Sequence, residues 1–378
     1  MTTVSKQKNL YLVSTPLNVL LAVAHASALS DRQVSELVLI DQRNIQNNLY
    51  LKALNAFEKT PFQNVEITSG SAKGTDKLAE RKQVFLQLEQ LVKRFKPDVV
   101  TVGSDRRIEF QYVMNLLNEE SSKGVEGWYL DDGLYSYAGR PKHWFKDTVN
   151  SILKKLVYGF WWDEPKTVGA SNWIDQAWLF HPEQAVSELK AKKCRTILTE
   201  WFTSPAVMDF SGHILNILGL SQEKLDEIQA VELILIIPHP DNIKKIEGYE
   251  ENILNFLELA AKQNIRVAVK YHPRTGQLDP LCLVDRFKCL LIPSELAFEF
   301  VLPFLSPNST VVGDVGTSLL TSGWLRPDVK CCAVIAEEDA YLSSFGKIYD
   351  DFGIERVRDF GSIIEKYNSS VNKERVHD

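Results

Sequence analysis

The chain has 378 residues, 44% of them hydrophobic, so it can bury a sizeable core and is longer than one typical domain uses. Its net charge of -6 gives no global drive toward nucleic acid, and no nucleic-acid partner is expected. Cys194, Cys282, Cys289, Cys331 and Cys332 form no C-x-x-C pair and no regular framework, which speaks against a disulfide scaffold or a zinc site and suits a reducing compartment.

The opening run, "MTTVSKQKNLYLVSTPLNVLLAVAHA", is interrupted by Ser14, Thr15, Pro16 and Asn18 and lacks a cleavage pattern, so it reads as a strand followed by a helix. Thr15 can cap that helix, with Pro16 at its first position. No segment is long and apolar enough for a membrane span, and the expected location is the cytoplasm or the inner face of the cell membrane.

Short apolar runs then alternate with amphipathic stretches: "NLYLVS" (9–14), "ELVLID" (36–41), "NVEITS" (64–69), "DVVTVGS" (98–104) and "GWYLDD" (127–132). This is the rhythm of a parallel α/β sheet. It breaks between about residues 140 and 230, apart from "AWLFH" (177–181). It restarts with "VELILIIPHP" (231–240), "IRVAVKYHP" (265–273), "FKCLLIP" (287–293), "STVVGDVG" (309–316) and "KCCAVIA" (330–336). The pattern predicts two doubly wound Rossmann-like domains facing across a cleft, residues 1–185 and 186–378, with a helical, aromatic and basic segment in the first.

Ligands of open parallel sheets bind outside the carboxyl ends of the strands, which makes a filter for candidate residues. "LDDGLYS" (130–136) passes: Asp131 and Asp132 follow a strand, and Gly133 permits a sharp turn. Adjacent carboxylates in extended chain point apart, so one can hold structure while the other faces the ligand as a proton acceptor. "KYHPRTG" passes too; Lys270, His272 and Arg274 alternate and in extended chain share a side, while Pro273 stops the strand ladder. In "VVGDVGTSLLTSGW" (311–324), Gly316, Thr317 and Ser318 open an apolar helix whose N-terminus suits a phosphate. In "LIPSELAFEF" (291–300), Glu295 is expected in the first turn of a helix, where a carboxylate can accept from a ribose diol. Each stretch has a plainer reading as a turn, a solvated strand end or a helix cap. Neither a P-loop nor a dinucleotide-binding glycine pattern is present.

Together these motifs resemble the bacterial sialyltransferases, in particular the lipooligosaccharide and polysialic acid families, which share a D/E-D/E-G motif, an H-P motif and a paired Ser/Thr motif. Here these are Asp131-Asp132-Gly133, His272-Pro273 and Thr317-Ser318, in the family's order. The N-terminal "STPLNVL" is similar to the family's opening strand and turn, which adds Thr15 and Asn18 as cleft residues. Two further H-P pairs occur, His181-Pro182 and His239-Pro240; the flanking "KYHPR" and the motif order select His272, while His239 borders the cleft. Thr317 stands where the family often has serine, which preserves the hydroxyl.

The resemblance implies a two-domain glycosyltransferase of the B-type fold, with an acceptor-side first domain and a CMP-donor-binding second. It would transfer sialic acid or a related nonulosonic acid, with inversion, from a CMP-activated donor to a hydroxyl of a surface glycan. Asp132 would be the general base, with Asp131 and Gly133 in support. His272 would donate to or protonate the departing phosphate. Lys270, Pro273, Arg274, Gly316, Thr317 and Ser318 would line the donor site, and Glu295 would hold the ribose. It implies no cofactor and no metal, in keeping with the absence of a D-x-D motif. Rival readings are a UDP-sugar-dependent transferase or epimerase of the same fold, and a non-catalytic nucleotide- or glycan-binding module.

The segment 142–166 joins Lys142, Lys146, Lys154 and Lys155 to Trp144, Phe145, Phe160, Trp161 and Trp162. It either lies in an anionic membrane interface near a lipid-linked acceptor or packs its aromatics between the domains as core.

Overall fold

A computed structural model describes residues 5–120, 124–140, 144–244, 246–314, 316–335 and 346–367, with backbone alone at 120 and 144–147. The chain divides into two compact units, Met1–Ile217 and Leu218–Asp378.

The first unit is built on a seven-stranded parallel sheet of order β3-β2-β1-β4-β5-β6-β7. Its strands are β1 (Gln7–Val13), β2 (Gln33–Gln42), β3 (Phe62–Ser69), β4 (Val99–Val102), β5 (Glu126–Leu130), β6 (Gln176–Leu179) and β7 (Lys193–Thr196). Central strands covered on both faces need continuous apolar runs, and Leu10–Val13 and Val99–Val102 are buried throughout. The helix Pro16–Ala28 starts as its sequence suggests: Thr15 Oγ1 accepts the Asn18 N–H at 3.2 Å, with proline in the first turn. Its His25 is a core residue. Its Nδ1 lies 2.7 Å from the Tyr11 hydroxyl, the ring packs against Trp128, Trp178 and Trp201, and burial lowers its pKa to about 3.

The second unit holds a six-stranded parallel sheet of order β10-β9-β8-β11-β12-β13. The strands are β8 (Leu233–Ile236), β9 (Val267–Lys270), β10 (Leu290–Ile292), β11 (Thr310–Gly313), β12 (Lys330–Val334) and β13 (Glu355–Val357). This is the 3-2-1-4-5-6 order of dinucleotide-binding domains, and the first six strands of the other sheet repeat it. The order reverses between β1 and β4 in one unit and between β8 and β11 in the other, which marks the ligand end of each sheet.

The boundary lies later than the expected residue 185. β6 and β7 extend the first sheet, and the helix Pro205–Ile217 packs onto the same unit, with Phe210 5.4 Å from the Phe57 ring.

Candidate functional site

In the first unit, β1, β4 and β5 end level with one another: Leu12 pairs with Val102, and Val102 with Tyr129. Ser14 to Asn18, Gly103 and the Asp131-Asp132 pair therefore emerge at one edge. The two aspartates take different roles. Asp131 is fully buried and accepts from Ser136 Oγ at 2.6 Å, Gly133 N at 3.1 Å, Phe180 N at 3.2 Å and the Tyr137 hydroxyl. It is a structural anchor for the turn, where Gly133 adopts φ 108°. The Asp132 N–H donates to the Tyr129 hydroxyl at 3.0 Å, which bonds Ser136 Oγ at 2.8 Å, so one hydroxyl chain links the Asp131 carboxylate to the Asp132 backbone.

Asp132 keeps part of its surface open. Its Oδ1 accepts from Asn18 Nδ2 at 2.9 Å. Burial raises its pKa to about 7; Asn18 and the Arg107 guanidinium pull it down, and the neighbouring Asp131 and Asp105 push it up. Asn18 reaches this position because residue 103 is glycine, where a Cβ would stand 2.2 Å from Asn18 Nδ2. Thr15 acts as the helix cap, and Asn18 is the residue of that pair that touches the carboxylate. Arg107, ion-paired with Asp41, escaped the sequence reading because a charged residue after a strand carries no motif.

In the second unit, β8 and β9 also end level, with Ile236 opposite Lys270. Each runs into a His-Pro turn of the same design. His239 Nδ1 accepts the Asp241 N–H at 3.0 Å, and His272 Nδ1 accepts the Arg274 N–H at 3.1 Å. The two rings meet edge to face with centroids 4.9 Å apart. Accepting at Nδ1 requires the proton on Nε2, so each neutral ring presents an Nε2–H donor. Burial, His239, Arg274 and Lys270 lower the His272 pKa to about 4, so it is neutral at pH 7. The doubled H-P sequence at consecutive strand ends was the legible sign of this pair.

Three donor-site expectations change. Lys270 turns inward instead of sharing a side with His272: it is 4% exposed, and its Nζ donates to Tyr271 O at 2.8 Å and Ser294 O at 3.0 Å. It ties the ends of β9 and β10 together, and burial lowers its pKa to about 8 against the opposing pull of Glu299 and Glu295. Arg274 is exposed but lies in a 3-10 turn, Pro273–Thr275, because the proline and the His272 cap end the extended chain. Glu295 sits in a turn and not in a helix; Leu296 N–H closes back on Pro293 O, and the next helical turn begins only at Phe298. The Glu295 carboxylate is exposed at the end of β10.

Gly316, Thr317 and Ser318 begin the helix Thr317–Leu325 as expected. Gly316 is its N-cap and supplies no capping side chain to the first helical N–H groups, the kind of N–H that a ligand can engage. The Tyr349 hydroxyl fixes Gly316 by accepting its N–H at 2.8 Å. Among the described residues no partner engages the Thr317 or Ser318 hydroxyl. Asp314, unsuspected from sequence, is 7% exposed between β11 and this helix; its Oδ2 has no partner among the described residues, and burial raises its pKa to about 7.

A cavity of about 400 Å³ in this unit lies at the other end of the sheet, against Leu233, Arg266, Thr310 and Lys330 at the strand starts. Its Glu232 and Glu355 are paired with Arg266, Tyr367 and Lys366, and it plays no part in the candidate site. Among the described residues no group of His, Cys, Asp and Glu side chains could hold a metal ion.

No protein-family model matches the chain, and no curated protein does. Solved structures do. They include an alpha/beta-galactoside alpha-2,3-sialyltransferase from Photobacterium phosphoreum, at 14% identity and TM-score 0.57, covering 93% of this chain and 99% of that one. The GT-B domain of a Photobacterium damselae sialyltransferase matches at 15% identity and TM-score 0.55, over 92% and 97%. A UDP-GlcNAc 2-epimerase from Methanocaldococcus jannaschii matches at 14% identity and TM-score 0.56, over 96% and 92%. Likeness at this identity, spanning both units, assigns the architecture: two Rossmann-like domains of the glycosyltransferase B-type fold.

Proposed function

We propose that this chain is an inverting glycosyltransferase that moves sialic acid, or a related nonulosonic acid, from CMP to a hydroxyl of a glycan acceptor. The observation that carries this reading is Asp132, a partly open carboxylate at a strand's carboxyl end whose pKa of about 7 suits a general base at neutral pH. Asp132 takes the acceptor hydroxyl's proton as that oxygen bonds to the anomeric carbon. The bond from that carbon to the CMP phosphate breaks, and its electron pair leaves with the phosphate oxygen.

In this reading the second unit binds the nucleotide. His272 and His239 donate from Nε2, and the Thr317 and Ser318 hydroxyls and adjacent helix N–H groups donate to the phosphate. His272 starts as a neutral donor, with its pKa near 4. An arriving phosphate favours the imidazolium, so a proton can follow the anion. Glu295 would accept from the ribose hydroxyls, and Arg274 would add charge at the rim. Fold likeness to sialyltransferases supports the reading.

The epimerase neighbours support a second reading, in which the nucleotide is UDP and the second unit binds a UDP-sugar. The test is CMP release from CMP-sialic acid in the presence of galactoside and sialoside acceptors. Release is expected from the wild type, with loss of at least about a hundredfold in Asp132→Asn, the range of general-base contributions. No release, or release indifferent to the substitution, contradicts the proposal.

A further inference from the structure

We propose that the helix Trp144–Tyr158 and the turn after it dock the first unit onto an anionic lipid bilayer. Val149, Ile152, Leu153, Leu156, Val157 and Phe160 are exposed by 40, 53, 54, 72, 53 and 87%. Their spacing of three and four residues puts them on one exposed stripe of the helix and its continuation, which no element covers among the described residues. Scattered exposed leucines are ordinary, whereas a contiguous apolar stripe of this size marks an interaction surface.

The opposite side of the helix is anchored. Lys154 Nζ lies 3.9 Å from the Trp162 ring and 3.4 Å from Glu164 Oε2, and Tyr158 meets the Phe85 ring at 6.3 Å. Trp162 is 1% exposed and its Nε1 donates to the same Glu164 oxygen at 3.2 Å. The basic-aromatic segment therefore divides: Trp162 and Lys154 belong to the packing, and the stripe faces outward. Lys142 lies outside the described residues.

Charge decides the occupant. Residues 140–166 hold six basic and three acidic residues, a net +3 within a chain of net -6. Bringing two copies of this segment together would oppose two net positive charges, whereas an anionic bilayer supplies both apolar depth and the opposite sign. A helix of 15 residues is about 22 Å long, so it lies in the interface and does not span. Among the described residues no helix is long and apolar enough to cross a membrane.

The surface is also tied to the candidate site of its own unit. Arg106 pairs with Glu164, and Gln111 bonds Asp105 O at 2.8 Å and Asp163 O at 2.7 Å. Bilayer docking would therefore hold the loop after β4, which carries Arg107, at the membrane surface, where lipid-linked acceptors reside. The docking claim stands whichever nucleotide the second unit binds.

The test is co-sedimentation of the full chain with vesicles of phosphatidylglycerol and phosphatidylcholine in equal parts, against phosphatidylcholine alone. Binding to the anionic vesicles is expected to exceed that to neutral ones by about fivefold or more and to weaken with salt. Leu153→Ser/Leu156→Ser/Phe160→Ser should lower it by about tenfold with an unchanged melting temperature, since all three side chains are exposed. Lys155→Glu alone should weaken it with the apolar stripe intact. Absence of binding to anionic vesicles, or undiminished binding by both variants, overturns the proposal. So does a wild-type dimer that the triple variant converts to monomer, because the occupant would then be a second copy.

Discussion

Asp132 and Asn18 are 114 residues apart in sequence and 2.9 Å apart in space, and their contact bears on the acidity of Asp132. The Asp132 pKa is raised from 3.8 to about 7, so the basic form grows as pH rises through about 7, and kcat/KM should rise with it. Asn18's hydrogen bond opposes that shift. Asn18→Leu should move the acid limb of the pH profile to higher pH and lower activity at pH 6.5. Gly103→Ala should do the same, because its methyl would displace the Asn18 amide. A limb that stays in place in both variants would break the link between Asn18 and the base. The same shift weakens folding: the folded state holds this proton more tightly, so stability from this group is present below pH 3.8 and is lost as pH rises through about 7.

At this scale the sequence gives residue type and strand-end position more readily than direction. Motif order selected Asp132 and His272, and both emerge at carboxyl ends of their sheets. The inward turn of Lys270 depends on carbonyls of Tyr271 and Ser294, and no local pattern around Lys270 encodes the loop that brings Ser294 close. Asp314 was hidden for a similar reason: an aspartate after a strand reads as a turn residue until its burial is seen.

Among the elements, the strands with apolar runs were legible, and β7 and β13 were not. "KCRT" and "ERV" are short edge strands with largely exposed side chains, so neither carries the run that marks a buried parallel strand. The segment after β4 is held by Asp105, which is fully buried and accepts from Gly169 N at 2.8 Å and Ser171 N at 2.7 Å. Asp105→Ala would leave two buried N–H groups unpaired, at a cost on the order of 3 kcal/mol, readable in urea unfolding. A loss within about 0.5 kcal/mol, typical of a surface change, would contradict this role. The helix Trp144–Tyr158 packs through its anchored side while its stripe stays outside, a division that composition alone left open.

For the whole molecule, the alternation of runs gave two Rossmann-like domains, and both sheets have the corresponding strand order. The boundary moved from 185 to 217 because the edge strand β7, which completes the first sheet beyond residue 185, carries no apolar run, and the helix Pro205–Ile217 packs onto the same unit. Fold likeness extends to enzymes whose names carry UDP-sugars as well as to sialyltransferases, so the nucleotide is the point on which the functional account turns. Thermal unfolding with CMP and with UDP tests it directly. A ligand at a hundredfold excess over its Kd adds about 2.7 kcal/mol, or about 8 °C in Tm for a unit of this size. The account predicts that shift with CMP, its reduction in His272→Asn, and little change with UDP; stabilisation by UDP without stabilisation by CMP would contradict it.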